Sequence, residues 1–314
     1  SIYPCPYLGY SGLIGRSFAM LYAASGYNVK LYDIEASQIE GAMKDIRDQL
    51  EHLDKTGFLR GKLTVTEQEN LITGTNDLAE CVKDAFFVQE CVPEILDIKR
   101  NVHSKIDCMV GNDVILASSA SALVPSLISE KLQHKSRFIV VHPTNPPFYA
   151  PLIELVPAPW TDADVLPRTK ELMLEIGQVP VTLLKEIDGF VLNRIQYAIM
   201  GECWRLVKDG VMSTEDIDKV MSEGLGRRYA FMGPLETAYL NADGMYSYGE
   251  RYKDMIHRVQ SSFGEPEKME GEVLGTIHND IASRIPLDKL MERRKWRDTR
   301  LAALDKLKRD WDKH

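Results

Sequence analysis

Residues 1–33 read SIYPCPYLGYSGLIGRSFAMLYAASGYNVKLYD. Gly12 and Gly15 occupy two positions of a G-x-G-x-x-G loop, and Tyr10 stands at the first. Gly12 lets backbone approach a pyrophosphate, and Gly15 lets a helix pack tightly on a sheet. The helix LIGRSFAMLYAASG carries Ile14, Phe18 and Leu21 on one side, and Gly26 marks its stop. Backbone N–H groups at its start offer an anion site. NVKLYD is a strand ending on Asp33, where a carboxylate binds a ribose hydroxyl. Ile34 and Glu35 follow, with no Arg to receive a 2′-phosphate, so NAD is preferred over NADP. Against this, Pro4 and Pro6 cannot donate ladder hydrogen bonds, and Tyr10 lacks glycine's backbone freedom. G-x-x-G before a helix is weak evidence alone; the order strand, glycines, helix, strand, Asp strengthens it.

Outward from this stretch, β-rich runs alternate with helical patterns as far as residue 187. Ser37–Leu53 has apolar residues at Ile39, Met43, Ile46 and Leu50, a helical spacing. AFFVQECV (Ala85–Val92) is a buried strand, followed by a helix in PEILDIKRNVHSKI. VILAS (Val114–Ser118), RFIVVHP (Arg137–Pro143), LIELVP and PVTLLK are further strands, with a helix at Asp164–Ile176. Such alternation predicts βαβ units and a mainly parallel sheet. After KEIDGF the pattern becomes helical. FVLNRIQYAIMGECWRLVKDG ends at Gly210, and Ser213 and Asp216 have capping-box spacing. No strand is expected past Leu184. The fold class is therefore α/β: residues 1–187 form a nucleotide-binding domain with a mainly parallel sheet, and residues 188–314 an all-helical domain.

Composition narrows the function. The net charge of −8 argues against a nucleic-acid partner, which needs a basic face. Five scattered cysteines without a C-x-x-C pair predict a reduced, cytosolic protein. Ser1–Tyr10 has neither the basic start nor the apolar run of a signal peptide. No apolar run approaches the ~18 residues of a membrane span. Seven histidines show no metal-ligand spacing, so no metal is implied.

Candidate chemistry lies in the loops after strands. Ser121 stands in ASSASAL, His142 in VVHPTNPP, Glu154 in LIELVP and Asn193 in GFVLNR. An imidazole transfers protons near neutral pH, and a carboxylate can orient it and stabilise the imidazolium. Ser and Asn can hold a substrate oxygen. Taken singly, each reads as readily as a capping, edge-strand or surface polar residue. Their order and spacing set them apart.

Together SGLIGRS, VKLYDIE, VQECVPE, HPTNPPFYAPLIELVP, GFVLNRIQYAI, VMSEGLGRRYAFMGPLET, LNADGM and RRKWRD resemble the 3-hydroxyacyl-CoA dehydrogenase superfamily, in its λ-crystallin / L-gulonate 3-dehydrogenase branch. The resemblance covers essentially the whole chain. It implies a Rossmann-type NAD domain with His142 as catalytic base and Glu154 as its partner. It further implies that Ser121 and Asn193 bind the reacting oxygen, and that Leu13 and Ile14 present backbone to the cofactor. Asp33 is implied at the adenosine ribose, and Glu94 with Lys99 as a second cofactor-contact pair; by sequence alone these two read as solvated helix charges. Homodimerisation through the helical domain is implied as well.

Two features bear on substrate. The helix EASQIEGAMKDIRDQLEHLDK is mixed to acidic, where CoA phosphates call for basic residues. Arg228, in GLGRRYAF, offers a guanidinium for a small carboxylate, whereas its neighbour Arg227 reads equally well as a surface ion pair. The expected substrate is a small hydroxy acid, L-gulonate in particular. A short-chain 3-hydroxyacyl-CoA dehydrogenase and a structural lens crystallin are the alternatives.

Overall fold

A computed structural model describes residues 6–9 and 12–311. The first part of the chain runs β1 (Pro6–Gly9), α1 (Leu13–Ala24), β2 (Val29–Tyr32), α2 (Ala36–Thr56), α3 (Val65–Asn70), β3 (Ile72–Thr75) and α4 (Leu78–Val82). It continues through β4 (Phe87–Glu90), α5 (Leu96–Asp107), β5 (Ile115–Ser118), α6 (Pro125–Ser129), β6 (Phe138–Pro143), β7 (Leu152–Pro157), α7 (Val165–Glu175) and β8 (Val179–Thr182). The eight strands form one sheet in the order β3-β2-β1-β4-β5-β6-β7-β8. All neighbours are parallel except β6 and β7, which are antiparallel. The order reverses between β1 and β4, and such switch points form crevices beyond the carboxyl ends of strands.

Strand periodicity builds two cores, one on each face of the sheet. Phe87, Ile139 and Val141 pack with Phe18, Leu21 and Tyr22 of α1 and with Ile46, Leu50 and Leu53 of α2. Their strand neighbours Val88, Phe138 and Val140 pack with Ile106 of α5 and with Phe190. Because successive strand side chains point to opposite faces, a strand covered on both sides reads as a continuous apolar run. Pro6 occupies the first position of β1, beside Phe87, where the missing N–H is tolerated. Pro4 and Tyr10 lie outside the described residues.

Residues 54–84, which carry no clear pattern, hold α3, α4 and the edge strand β3. Two of the four residues of β3, Thr73 and Gly74, are exposed, so no apolar alternation marks it. Thr64 and Glu67 do form a capping box that starts α3.

The remaining elements are α8 (Leu192–Lys208), α9 (Thr214–Lys219), α10 (Gly226–Tyr229), α11 (Pro234–Leu240), α12 (Met245–Gln260), α13 (Gly271–Arg284) and α14 (Leu290–Trp311). Among the described residues no strand follows β8. Gly210 adopts φ 65° after α8, and the Ser213 hydroxyl accepts from the Asp216 amide at the start of α9. A π turn at Val220–Leu225 precedes α10.

The compact units differ from the expected split at 187/188. Ser1–Arg194 and Lys295–His314 group together, and Ile195–Arg294 form the second unit. Two sets of bonds explain the difference. The first turn of α8 supplies partners to the sheet, and the end of α14 returns to it: Arg60 Nη2 lies 3.2 Å from Asp305 Oδ2, and Ala302 is buried. Within the second unit Trp204 and Ile217 are buried, Arg284 donates to the Thr214 hydroxyl at 2.6 Å, and Lys208 pairs with Glu267 at 2.7 Å.

Candidate active site

The antiparallel pairing of β6 with β7 sets His142 directly opposite Glu154. Cross-strand neighbours lie close enough for their side chains to meet, and the two do so at 2.8 Å between Nδ1 and Oε2. Both are buried, His142 with 5% and Glu154 with 1% of its surface exposed. The second carboxylate oxygen, Oε1, accepts the Val191 and Leu192 amides at 2.9 Å each. These amides open α8, where the helix dipole favours an anion. Burial pushes the Glu154 carboxyl up, but His142 and the two amides outweigh it and hold the group below its usual range. An ionised Glu154 keeps the proton on Nδ1 and leaves Nε2 as the imidazole's acceptor.

A sharp turn aims α8 at this carboxylate. Gly189 and Phe190 both adopt left-handed backbone, φ 71° and 52°. That conformation is costly for a bulky residue and persists where surrounding packing enforces it. Phe190 is fully buried, with its ring centroid 5.5 Å from that of His142. The pairing of Gly189 with Phe190 in DGFVLNR is the signal for this packing residue, which patterning alone passes over.

Asn193, three residues past Phe190, donates through Nδ2 to the Ser121 carbonyl at 2.7 Å. Hydrogen bonds therefore join His142, Glu154, the start of α8, Asn193 and Ser121 in one chain. Ser121 lies in the exposed loop after β5.

The other expected residues flank the switch point. Gly12, which has no side chain to cap with, is the N-cap of α1. Leu13 is exposed, Ile14 half-buried and Gly15 buried. Asp33 follows β2, is buried, and accepts the Glu35 amide at 3.2 Å. Helix-opening amides and a carboxylate at the end of the next strand fit a dinucleotide, its pyrophosphate at α1 and a ribose at Asp33.

Of the expected cofactor-contact pair, Glu94 is exposed in the loop before α5, whereas Lys99 is buried. Lys99 is 1% exposed, so it is neither a solvated charge nor open to a ligand. Its ammonium donates to Glu90 Oε1 and Oε2 at 3.0 and 3.3 Å and to the Val92 carbonyl at 3.1 Å. Glu90 also accepts the Ser118 hydroxyl at 2.6 Å and lies 3.3 Å from His103 Nε2. Burial pushes the Glu90 carboxyl up; His103, Lys99 and Ser118 outweigh it and bring it down to about 2. Sequence patterning misses this cluster, although two polar residues, Gln89 and Glu90, at the end of an otherwise apolar strand are a visible sign of it. Burial pushes the neighbouring Cys91 thiol up to about 12, so no thiolate nucleophile stands there.

Arg228 belongs to the second unit. It is exposed and, among the described residues, has no ion pair, whereas Arg227 pairs with Glu223. No group of three or more His, Cys, Asp and Glu among the described residues is placed to hold a metal ion, and none of the described helices is long and apolar enough to cross a membrane.

A switch-point sheet for a dinucleotide with a carboxylate-held imidazole beside it defines an oxidoreductase that works on a nicotinamide cofactor. The chain belongs to the 3-hydroxyacyl-CoA dehydrogenase family: residues 8–187 match the family's NAD binding domain and residues 189–293 its C-terminal domain. It is 50% identical to lambda-crystallin of Oryctolagus cuniculus over 301 residues, 95% of this chain and 94% of that one. It is 30% identical to L-carnitine dehydrogenase of Pseudomonas sp over 307 residues, 97% and 94% of the two chains. Among solved structures, 5-formyl-3-hydroxy-2-methylpyridine 4-carboxylic acid 5-dehydrogenase, an NAD+ dependent dismutase, superposes with a TM-score of 0.81 at 26% identity, covering 96% of this chain and 97% of that one.

Proposed function

We propose that the chain is an NAD-dependent dehydrogenase of a small 3-hydroxy acid, with L-gulonate, oxidised to 3-dehydro-L-gulonate, as substrate. The observation that carries this is the buried His142–Glu154 pair, anchored at its far side by α8. His142 Nε2 accepts the proton of the 3-hydroxyl, and ionised Glu154 stabilises the imidazolium that forms. Ser121 and Asn193, already bonded to each other, hold the reacting oxygen. Gly12, Leu13, Ile14, Gly15 and Asp33 bind NAD, which when bound supplies the hydride acceptor. Arg228, an exposed guanidinium with no ion pair among the described residues, takes the substrate carboxylate. L-Gulonate and L-carnitine are both carboxylates with a 3-hydroxyl, so the relative that oxidises L-carnitine supports the class of substrate. A 3-hydroxyacyl-CoA is disfavoured by the mixed charge of α2, where exposed Glu40, Asp48 and Glu51 offset the exposed Lys44, Arg47 and Lys55. Among the described residues, the second unit leaves Leu235, Leu240, Phe231 and Tyr246 more than half exposed, which supports a homodimer formed through it. The test is turnover of L-gulonate, L-carnitine and acetoacetyl-CoA side by side. L-Gulonate oxidation with NAD is expected, and turnover of acetoacetyl-CoA alone overturns the substrate assignment.

A further inference from the structure

The loop between β6 and β7 reads TNPPFYAP, residues 144–151, and links the strand of His142 to that of Glu154. Pro146, Pro147 and Pro151 bring carbonyls to it without amides to match. Carbonyls away from water need donors, and here most come from elsewhere in the fold. The Pro147 carbonyl accepts Gln178 Nε2 at 3.0 Å, the Phe148 carbonyl accepts Arg60 Nη2 at 2.6 Å, and the Pro151 carbonyl accepts the Val179 amide at 2.8 Å. The loop opens where the Thr144 amide donates to the Leu152 carbonyl at 3.0 Å. Its start, middle and end are each fixed.

Arg60 is itself held firmly. It is buried, its Nη1 donates to Gln178 Oε1 at 3.2 Å, and its guanidinium carbon lies 4.9 Å from the centre of the Phe148 ring. Asp305, near the end of α14 and in the same compact unit, balances its charge at 3.2 Å. Its backbone is fixed as well. The Arg60 carbonyl accepts the buried Gln68 Nε2 at 2.8 Å, and the next residue, Gly61, adopts φ 80° against α1, where a Cβ would collide with the Ala24 carbonyl.

His142 ends two residues before this loop and Glu154 begins three after it. Their meeting depends on the β6–β7 register, which a slip of one residue would turn inside out. We infer that Arg60, balanced by Asp305, is a positioning residue: it anchors the β6–β7 loop and thereby aligns His142 on Glu154. This rests on the reading of that pair given under the proposed function. The Val191 and Leu192 amides, which donate to Glu154 Oε1, report its placement without any turnover.

Two variants of the full chain test this. Arg60→Met with Asp305→Leu removes both charges together, so no buried ion is stranded and the fold is kept. Arg60→Lys keeps the charge but loses the fork of donors. Hydrogen–deuterium exchange without substrate is expected to speed up by about tenfold or more in the double variant, at Thr144, Tyr149 and Ala150 of the loop and also at Val191 and Leu192, with Arg60→Lys in between. At a temperature where denaturation shows each variant folded, kcat falls in the same order while KM for NAD and for the hydroxy acid hold, as for an interaction felt in the transition state. Unchanged exchange in both variants overturns the inference. So does faster exchange in the loop with Val191, Leu192 and kcat as in the wild type, which makes the clasp a matter of stability alone. If the wild type oxidises none of the hydroxy acids, the proposed function fails, and exchange at Val191 and Leu192 still decides whether Arg60 aligns Glu154.

Discussion

Glu154 has two oxygens and spends each on a different task. One orients His142; the other is held by the opening amides of α8. Replacing it by Gln removes the charge that fixes the imidazole tautomer. Glu154→Gln is expected to keep NADH affinity and lose about a hundredfold to ten-thousandfold in kcat. A variant with wild-type kcat contradicts the role given to the pair. Because the oxidation consumes a free imidazole, kcat/KM for oxidation should rise with pH and that for the reverse reduction should fall. Rates measured in both directions across neutral pH check this. Glu154 is also held below the usual carboxylate range in the folded state. The stability it contributes is present above its ordinary value and is lost as pH falls through the lowered one. At this scale the sequence was readable where strand pairing brings residues together. His142 and Glu154 are twelve residues apart, and the β6–β7 register makes them neighbours. Hydrophobic patterning passes over Phe190, whose left-handed backbone is held by packing and is signalled only by the glycine before it.

The β4–α5 element stores charge in its interior. Glu90, Lys99 and His103 are each at most 1% exposed. Removing one member of such a cluster leaves the others uncompensated, and Glu90→Gln is expected to cost about 3–5 kcal/mol. Chemical denaturation measures this; a cost under about 1 kcal/mol, as for an exposed pair, contradicts it. The cluster also has a pH signature. Glu90 is lowered from its ordinary 4.5 to about 2, so its contribution is complete above 4.5 and lost as pH falls toward about 2. Wild type and Glu90→Gln should therefore converge in stability across that acid window. The helix α5 itself was legible from periodicity, whereas the burial of Lys99 was not. Its partner comes from β4 across a loop, and helical patterning scores a lysine as solvated whatever the neighbouring strand offers.

Over the whole molecule, alternation of strands and helices identified the sheet, and the loss of alternation marked the helical part. The return of the chain's end to the sheet left no mark in patterning. Arg60 is 6% exposed, donates to the Phe148 carbonyl at 2.6 Å and is paired with Asp305, 245 residues away. Gln178 Nε2 donates to the neighbouring Pro147 carbonyl at 3.0 Å and Arg60 Nη1 to Gln178 Oε1 at 3.2 Å, so the loop between β6 and β7 is clasped by both. Asp305→Ala strands a buried guanidinium and is expected to lower stability by about 3–5 kcal/mol; unchanged denaturation would show the clasp to be ornamental. The central claim is that the His142 imidazole performs proton transfer for NAD-linked oxidation of a 3-hydroxy acid. Its most direct test pairs an NADH titration with an L-gulonate assay on wild type and His142→Ala. Equal NADH affinity in both, with turnover lowered by about a hundredfold or more in the variant, is the predicted result. A His142→Ala protein that oxidises L-gulonate at the wild-type rate contradicts it.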